Sequence, residues 1–221
     1  SFDTFHPDAE RIFRENAHFD SGGNEQTWSE TPAPHALFAL QEIPGVEKAV
    51  RVAQDWESPV FRYGDKNFVE KKGVYADSSF FEVFKTNMIA GNPARPFSGK
   101  SAVVVTETFA RKYFGDADPL GKVLEIGKEK GEVSALIRDM PGNSVFQFEY
   151  VRNFELLKSN YHPNDYWKTL ESNWGDFNYS TYFKLSPGIS TEAVGKKLSA
   201  IHHAHNTFDS GSYYTLQPLT N

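Results

Sequence analysis

The chain has 221 residues, room for one large domain or two small ones, and its 39% hydrophobic residues with 16 glycines sit in the globular band, which excludes intrinsic disorder. Lys plus Arg is 23 against 29 Asp plus Glu, a formal charge of −6, and an acidic chain without a basic block speaks against a nucleic-acid binder. The absence of cysteine excludes disulfides, thiolate zinc sites and a Cys nucleophile, and the longest aliphatic or aromatic stretch, Ala36 to Leu40, falls far short of the about 20 apolar residues of a membrane span.

Arg11 to Phe19 reads as an extended segment, and the polar, Gly- and Ser-rich stretch from Asp20 to Thr31 as a loop. Pro32 and Pro34 suit the first turn of a helix, where a missing N–H costs nothing. Leu37, Leu40 and Ile43, with Ala36, give that helix an apolar face until Pro44-Gly45 stops it. Val50 and Val52, alternating with Arg51, start a strand. Phe61 and Tyr63 alternate, Gly64-Asp65-Lys66-Asn67 turns the chain, and Phe68 to Ala76 completes a hairpin. Ser79 and Glu82 have capping-box spacing, with Phe80, Phe81 and Phe84 on the buried side of a short helix.

Gly91-Asn92-Pro93 and Pro96 break the chain. Val103, Val104 and Val105 form a buried strand, and Thr106 caps a helix whose apolar face is Phe109, Ala110, Tyr113 and Phe114, ended by Gly115. Leu124 and Ile126 alternate, as do Val133, Ala135 and Ile137. Pro141-Gly142-Asn143-Ser144 turns, and Phe146, Phe148 and Tyr150 alternate again; from Asn153 to Asp176 no period stands out. Tyr179, Thr181, Phe183 and Leu185 share a strand face, Pro187-Gly188 turns, and Ser190 caps a helix carrying Val194, Leu198, Ile201 and His205. Ser212 to Leu219 is the last strand. Both ends therefore read β-α-β, residues 11–54 and 179–219, around a middle of roughly 97–178 with its own elements. The fold class is α+β: a split β-α-β sandwich with an inserted mixed α/β subdomain.

Four features invite chemistry. Gly115-Asp-Ala-Asp-Pro-Leu-Gly121-Lys122-Val123 looks like a phosphate loop, but five residues separate the glycines, Val123 has no hydroxyl, and Asp116 and Asp118 repel phosphate. His202, His203 and His205 with Asp209 suggest either a metal site, with 202 and 205 one turn apart, or a polar helix end where His⁺ suits the dipole. Acidic pairs such as Asp55 with Glu57 and Asp116 with Asp118 would serve a glycosidase only across a cleft. Trp167, Trp174, Phe177 and Tyr179, with Tyr161 and Tyr166, form either an aromatic binding platform or the core of a subdomain short of aliphatics, the commoner fate of aromatics. No Gly-x-Ser-x-Gly elbow occurs.

A resemblance joins these pieces. Phe5-His-Pro-Asp-Ala-Glu-Arg-Ile-Phe-Arg14, Gly73-Val-Tyr-Ala-Asp-Ser-Ser-Phe-Phe-Glu-Val-Phe84, Ile89-Ala-Gly-Asn-Pro93 and Val103-Val-Val-Thr-Glu-Thr-Phe-Ala-Arg-Lys-Tyr-Phe-Gly115 form one set. Asp118-Pro-Leu-Gly-Lys122, Ile137-Arg-Asp-Met-Pro141 and Tyr214-Thr-Leu-Gln-Pro-Leu219 form another. In order along most of the chain, weakest from 153 to 178, they resemble the extracytoplasmic domain of MacB/FtsX-type ABC transporter permeases. Ala135-Leu136 departs from the Gly-Val pair expected before that strand end.

The resemblance implies a porter-like subdomain from residues 1–96 plus 179–221 and an inserted Sabre-like subdomain from 97–178. It implies no catalytic residue, no cofactor and no metal here, ATP being hydrolysed by a separate cytoplasmic ATPase that partners the permease. The chain, which starts at Ser1 without Met, is then expected to be a fragment: Ser1 follows one transmembrane helix of a bacterial inner-membrane protein and Asn221 precedes the next, with this segment on the periplasmic side. A second permease copy and a periplasmic adaptor or carrier protein are further candidate partners. The expected role is mechanical transmission of ATP-driven helix movement to export or envelope work. The alternatives are a ligand-sensing module using the aromatics as a pocket and, behind it, an extracytoplasmic glycosidase.

Overall fold

The computed structural model describes residues 8–209 and 211–219; Ser1, Asn221 and the Phe5-His-Pro part of the first motif lie outside them. Contacts group the chain into two compact units, Ser1–Arg51 with Asn160–Asn221, and Val52–Ser159.

The first unit opens with a single 3-10 turn, Ala9–Arg11, and strand β1 (Ile12–Ser21), which a Gly22-Gly23 turn, both at positive φ, folds back into β2 (Asn24–Trp28). The polar stretch expected to be a loop is thus half strand. Every residue of β2 is exposed, and a strand solvated in this way has no buried face to impose alternation, so the period-2 signal is missing. Helix α1 (Pro34–Glu42) starts with proline in its first turn, as expected. Its buried side is the small one: Ala36, Ala39 and, just beyond the helix, Ile43 pack inward, whereas Leu40 is 42% exposed and Leu37 half-buried. Strand β3 (Val46–Gln54) carries the chain from one unit to the next.

In the second unit, β4 (Val60–Tyr63) and β5 (Lys66–Val69) make the expected hairpin, which ends at Val69; β6 (Gly73–Ala76) leaves it. Helix α2 (Ser79–Val83) has Ser78 at its N-cap position, without a capping bond from that side chain, and it buries Phe80 and Phe81 with Phe84 just beyond it. After β7 (Met88–Ala90) come β8 (Val103–Thr106) and α3 (Glu107–Phe114), where Thr106 Oγ1 accepts the Phe109 N–H at 3.3 Å and Gly115 closes the helix at φ 59°. Then follow β9 (Val123–Ile126), β10 (Glu129–Ile137), β11 (Tyr150–Asn153) and α4 (Phe154–Ser159). Phe146 and Phe148 are buried but precede the strand they were expected to open.

Strand β6 runs parallel to β11, β11 antiparallel to β8, and β8 parallel to β10; β10 also pairs β7 and β9, and β9 pairs β4. These pairings place residues 52–96 with the middle of the chain, so the unit boundaries fall at 51/52 and 159/160 where the sequence suggested 96/97 and 178/179. Local hairpin and turn signals carry no information about which distant strand an edge will meet. The core here is Phe61, Val103, Val105, Phe109, Tyr113, Leu124, Ile126 and Tyr150 with their neighbours.

The chain returns to the first unit through the 3-10 turn Leu170–Ser172, β12 (Ser180–Leu185), α5 (Thr191–His205) and β13 (Tyr213–Pro218). The strand order there is β13-β1-β12-β3, with β2 added to β1. The core joins Ala17, Ala36, Ala39, Ile43, Phe183, Leu185, Val194, Leu198 and Tyr214. Helix α5, capped at Ser190 as expected, lies directly on β13. A Cβ on Gly195 would stand 2.6 Å from the Tyr214 carbonyl, and Ser199 Oγ accepts the Tyr214 N–H at 3.0 Å while donating to the Gly195 carbonyl at 2.9 Å.

Gly73 makes the tightest of these approaches, since a Cβ there would fall 1.9 Å from the Tyr150 ring. Gly73→Ala must displace a buried ring whose hydroxyl donates to Asp55 at 2.9 Å. We expect a loss of about 3 kcal/mol in urea unfolding, the upper range for overpacking.

Candidate functional site

Strand β1 turns Phe13, Glu15, Ala17 and Phe19 to one side, and Phe13, Ala17 and Phe19 belong to the apolar cluster of this unit. Glu15 therefore stands at a core-facing position and is wholly buried. His35, in the first turn of α1, and His202, in the last turn of α5, are buried as completely. A carboxylate in such a place is tolerated only when it is paired and hydrogen-bonded.

The partners form a chain. Glu15 Oε1 meets His35 Nδ1 at 2.7 Å, His35 Nε2 meets His202 Nδ1 at 2.9 Å, and His202 Nε2 meets Asp209 Oδ2 at 3.1 Å. Asp209, just past α5, also accepts the backbone N–H groups of Gly211 at 3.2 Å and Ser212 at 3.1 Å through Oδ1. Tyr214 closes one side, its ring 4.6 Å from His35 and 5.0 Å from His202; Trp174 lies 5.5 Å from His35. Glu15 Oε2 is buried without a hydrogen-bond partner.

The hydrogen bonds fix the protonation pattern. Burial opposes ionisation of Asp209, but the bonds from Ser212, His202 and Gly211 hold its carboxyl below the ordinary value, so Asp209 accepts and His202 Nε2 carries the hydrogen. Burial, with His35 beside it, pushes His202 down to about 4; it is neutral, and its Nδ1 accepts from His35 Nε2–H. One further proton then bridges Glu15 and His35. Three protons on four groups leave a single net negative charge, seated on the best-solvated member.

The other sequence candidates separate. His203 lies beside this chain, its ring 5.9 Å from that of His202, and His205 donates Nδ1–H to the Ile201 carbonyl at 2.9 Å and stacks on Trp174 at 4.5 Å. Among the described residues no group of three or more His, Asp or Glu could hold a metal ion; both nitrogens of His202 are engaged. The Gly115–Val123 loop has its amides engaged, Gly121 N–H on the Val133 carbonyl at 2.9 Å and Lys122 N–H on that of Pro119 at 3.1 Å. Of the acidic pairs, Asp55 is buried against Tyr150, burial raising its carboxyl above the usual range, while Glu57, Asp116 and Asp118 are exposed. The aromatic group divides too. Trp174 and Tyr179 are buried, Trp167, Phe177 and Tyr161 half-buried, and Tyr166 is 73% exposed beside exposed Phe208. Two of that group of six, Trp174 and Tyr179, are core. The segment carrying it is tied down by Arg51, whose guanidinium meets Glu171 at 2.9 Å.

Sequence reading singled out His202 and Asp209 but missed Glu15 and His35. The only available signal was polarity at core-facing positions: a carboxylate between Phe13 and Ala17, and a histidine next to Ala36.

The model of the MacB-like periplasmic core domain family matches residues 1–201. No match was found among curated proteins. Among solved structures, a domain described as part of a permease protein from Porphyromonas gingivalis is 25% identical, with a TM-score of 0.78 over 96% of this chain and 92% of that one. The periplasmic region of MacB from Actinobacillus actinomycetemcomitans matches at 12% identity and a TM-score of 0.65, covering 96% and 90% of the two chains. The extracellular domain of the ABC-type transporter YknZ from Gram-positive bacteria matches at 18% identity and 0.64, covering 93% and 99%.

The histidine chain sets a pH dependence. Unfolded histidine titrates near 6.5, folded His202 at about 4, so on acidification the unfolded chain takes up its proton first. The stability contributed by keeping His202 neutral is complete above about pH 6.5, falls as the pH drops towards 4, and then levels off; the whole step is about 3 kcal/mol. Urea unfolding at pH 7.5 and pH 4.5 should show wild type losing about 2 kcal/mol more than His202→Gln.

Proposed function

Because the chain belongs to the MacB-like periplasmic core domain family, we propose that it is the extracytoplasmic, non-catalytic part of an ABC transporter permease that passes ATP-driven movement of membrane helices to export or envelope work. The porter-like part is assigned to the unit holding both chain ends, and the Sabre-like part to the unit between them. The partners in this reading are a separate ATPase, a second permease copy, and a periplasmic adaptor or carrier. None of the described helices is long and apolar enough to cross a membrane.

The observation that supports this reading is the pairing of the first and last strands. Phe13 to His18 of β1 lie opposite Pro218 to Tyr213 of β13, and Arg14 and Asn16 both donate to Gln217 Oε1, at 2.9 and 3.0 Å. Two stalks entering adjacent strands of one sheet act on one body, and their displacement becomes a rigid-body rotation of it. The ligand-sensing alternative needs an aromatic pocket, and Trp174 and Tyr179 are packed away inside this unit.

Absence of cysteine makes the test direct. In the assembled full-length transporter, spin labels at Lys196 of two permease copies should change separation when the ATPase is trapped with ATP and vanadate. Flexible Gly-Ser linkers of about 10 residues at both junctions with the membrane helices should abolish the change. A change of the same size through slack linkers would rule out mechanical transmission.

A further inference from the structure

The Glu15–His35–His202–Asp209 chain has no part in the mechanical reading, yet it links β1, α1, α5 and the loop after α5 through three buried or half-buried contacts. Its middle bond, His35 Nε2 to His202 Nδ1 at 2.9 Å, joins the first turn of α1 to the last turn of α5. These helices belong to opposite ends of the sequence, 167 residues apart at this bond. The groups facing His202 from each packed element are few: His35 on α1, Asp209 in the loop, His203 beside it on α5, and the rings of Tyr214 on β13 and of Trp174 and Phe177. Glu15 on β1 acts on His35 alone, and His205 is turned to Trp174. Lysine and arginine are absent from these contacts.

We propose that this chain is a proton-operated latch: with three bridging protons it holds α1 to α5, and a fourth proton releases them. The geometry leaves the fourth proton two positions. On His202 Nδ1 it sets an N–H against the His35 N–H, turning a hydrogen bond into a repulsion at 2.9 Å between donors. On the unpartnered Glu15 Oε2 it removes the negative charge facing His35, which must then carry a buried imidazolium without a counter-ion. Asp209 is the poorest acceptor of that proton because three hydrogen bonds hold it ionised. On His202 the proton separates the two helices at this buried polar junction while the apolar core below persists, which is local opening rather than global unfolding; on Glu15 it leaves the His35–His202 bond in place and weakens the junction only through the uncompensated charge. Histidine is suited to such a switch because its charge changes within the range of pH an extracytoplasmic domain meets.

The test is amide hydrogen exchange of the 221-residue chain between pH 7 and pH 4.5, corrected for intrinsic rates. Protection of amides in α1 and α5 should fall roughly tenfold per pH unit once the transition begins, with β8 and β11 of the other unit unchanged. Imidazole NMR, carried to lower pH on the same chain, should show His202 as the Nε2–H tautomer at pH 7 and its titration at the pH where the protection loss levels off. His202→Gln, which does not titrate, should remove the acid response of both helices. Unchanged wild-type protection down to pH 4.5 overturns the latch, as does an equal acid response in His202→Gln. Should that variant not fold, the wild type decides: protection loss that continues below the imidazole titration, or levels off well above it, overturns the latch as well.

Discussion

The antiparallel register of β1 against β13 is the constraint on which the rest of the first unit depends. It joins residues separated by 203 positions at the Arg14–Gln217 contact. Closing a loop of about 200 residues rather than about 20 costs about 2 kcal/mol more in chain entropy, and this pairing must be won before the inner elements of either end can share a core. The return is a cluster in which Ala17 from the first strand, Ala39 from the first helix, and Val194, Leu198 and Tyr214 from the last two elements bury one another. Without that pairing α1 and α5 would each present a half-apolar face to water, and His35 would have no His202.

The same closure explains the small residues of α1. Ala36 and Ala39 rather than Leu37 and Leu40 face inward, because the space between this helix, α5 and the sheet is already filled by Phe183, Leu185 and Tyr214. Reading apolar size along the sequence favoured the leucines; only the partner surface decides which face is buried. Elements whose boundaries are set by local chemistry were legible: Thr106 and Gly115 around α3, Ser190 before α5, Gly64-Asp65 between β4 and β5. Where the determinant is a distant strand, as for β6 on β11 or β7 on β10, the sequence holds no local trace. Exposed β2 left none either, since its register is set by β1 and not by a core.

The site was half legible for a related reason. His202 and Asp209 are close in sequence and stood out as a polar cluster. Glu15 and His35 are single polar residues in otherwise apolar surroundings, and their roles exist only once three elements converge. The triplet His202, His203 and His205 suggested shared chemistry, whereas helical geometry sends the three rings to a buried carboxylate chain, to the side, and onto Trp174. The aromatic group around Trp167 and Trp174 likewise carried no indication of which rings would be covered; Arg51, reaching Glu171 from β3, helps to fasten that segment down.

Strand β13 is the last in its sheet, and an outermost strand is an invitation to fibre growth, because a neighbour's strand can add to its open hydrogen-bonding row. Here that row is blunted by its own chain. The outward amide of Tyr214 is held by Ser199, the outward carbonyl of Tyr214 lies against Gly195, and two further steps along the same row Pro218 has no amide to offer. A margin covered in this way offers no continuous row on which a second copy's strand could extend the sheet.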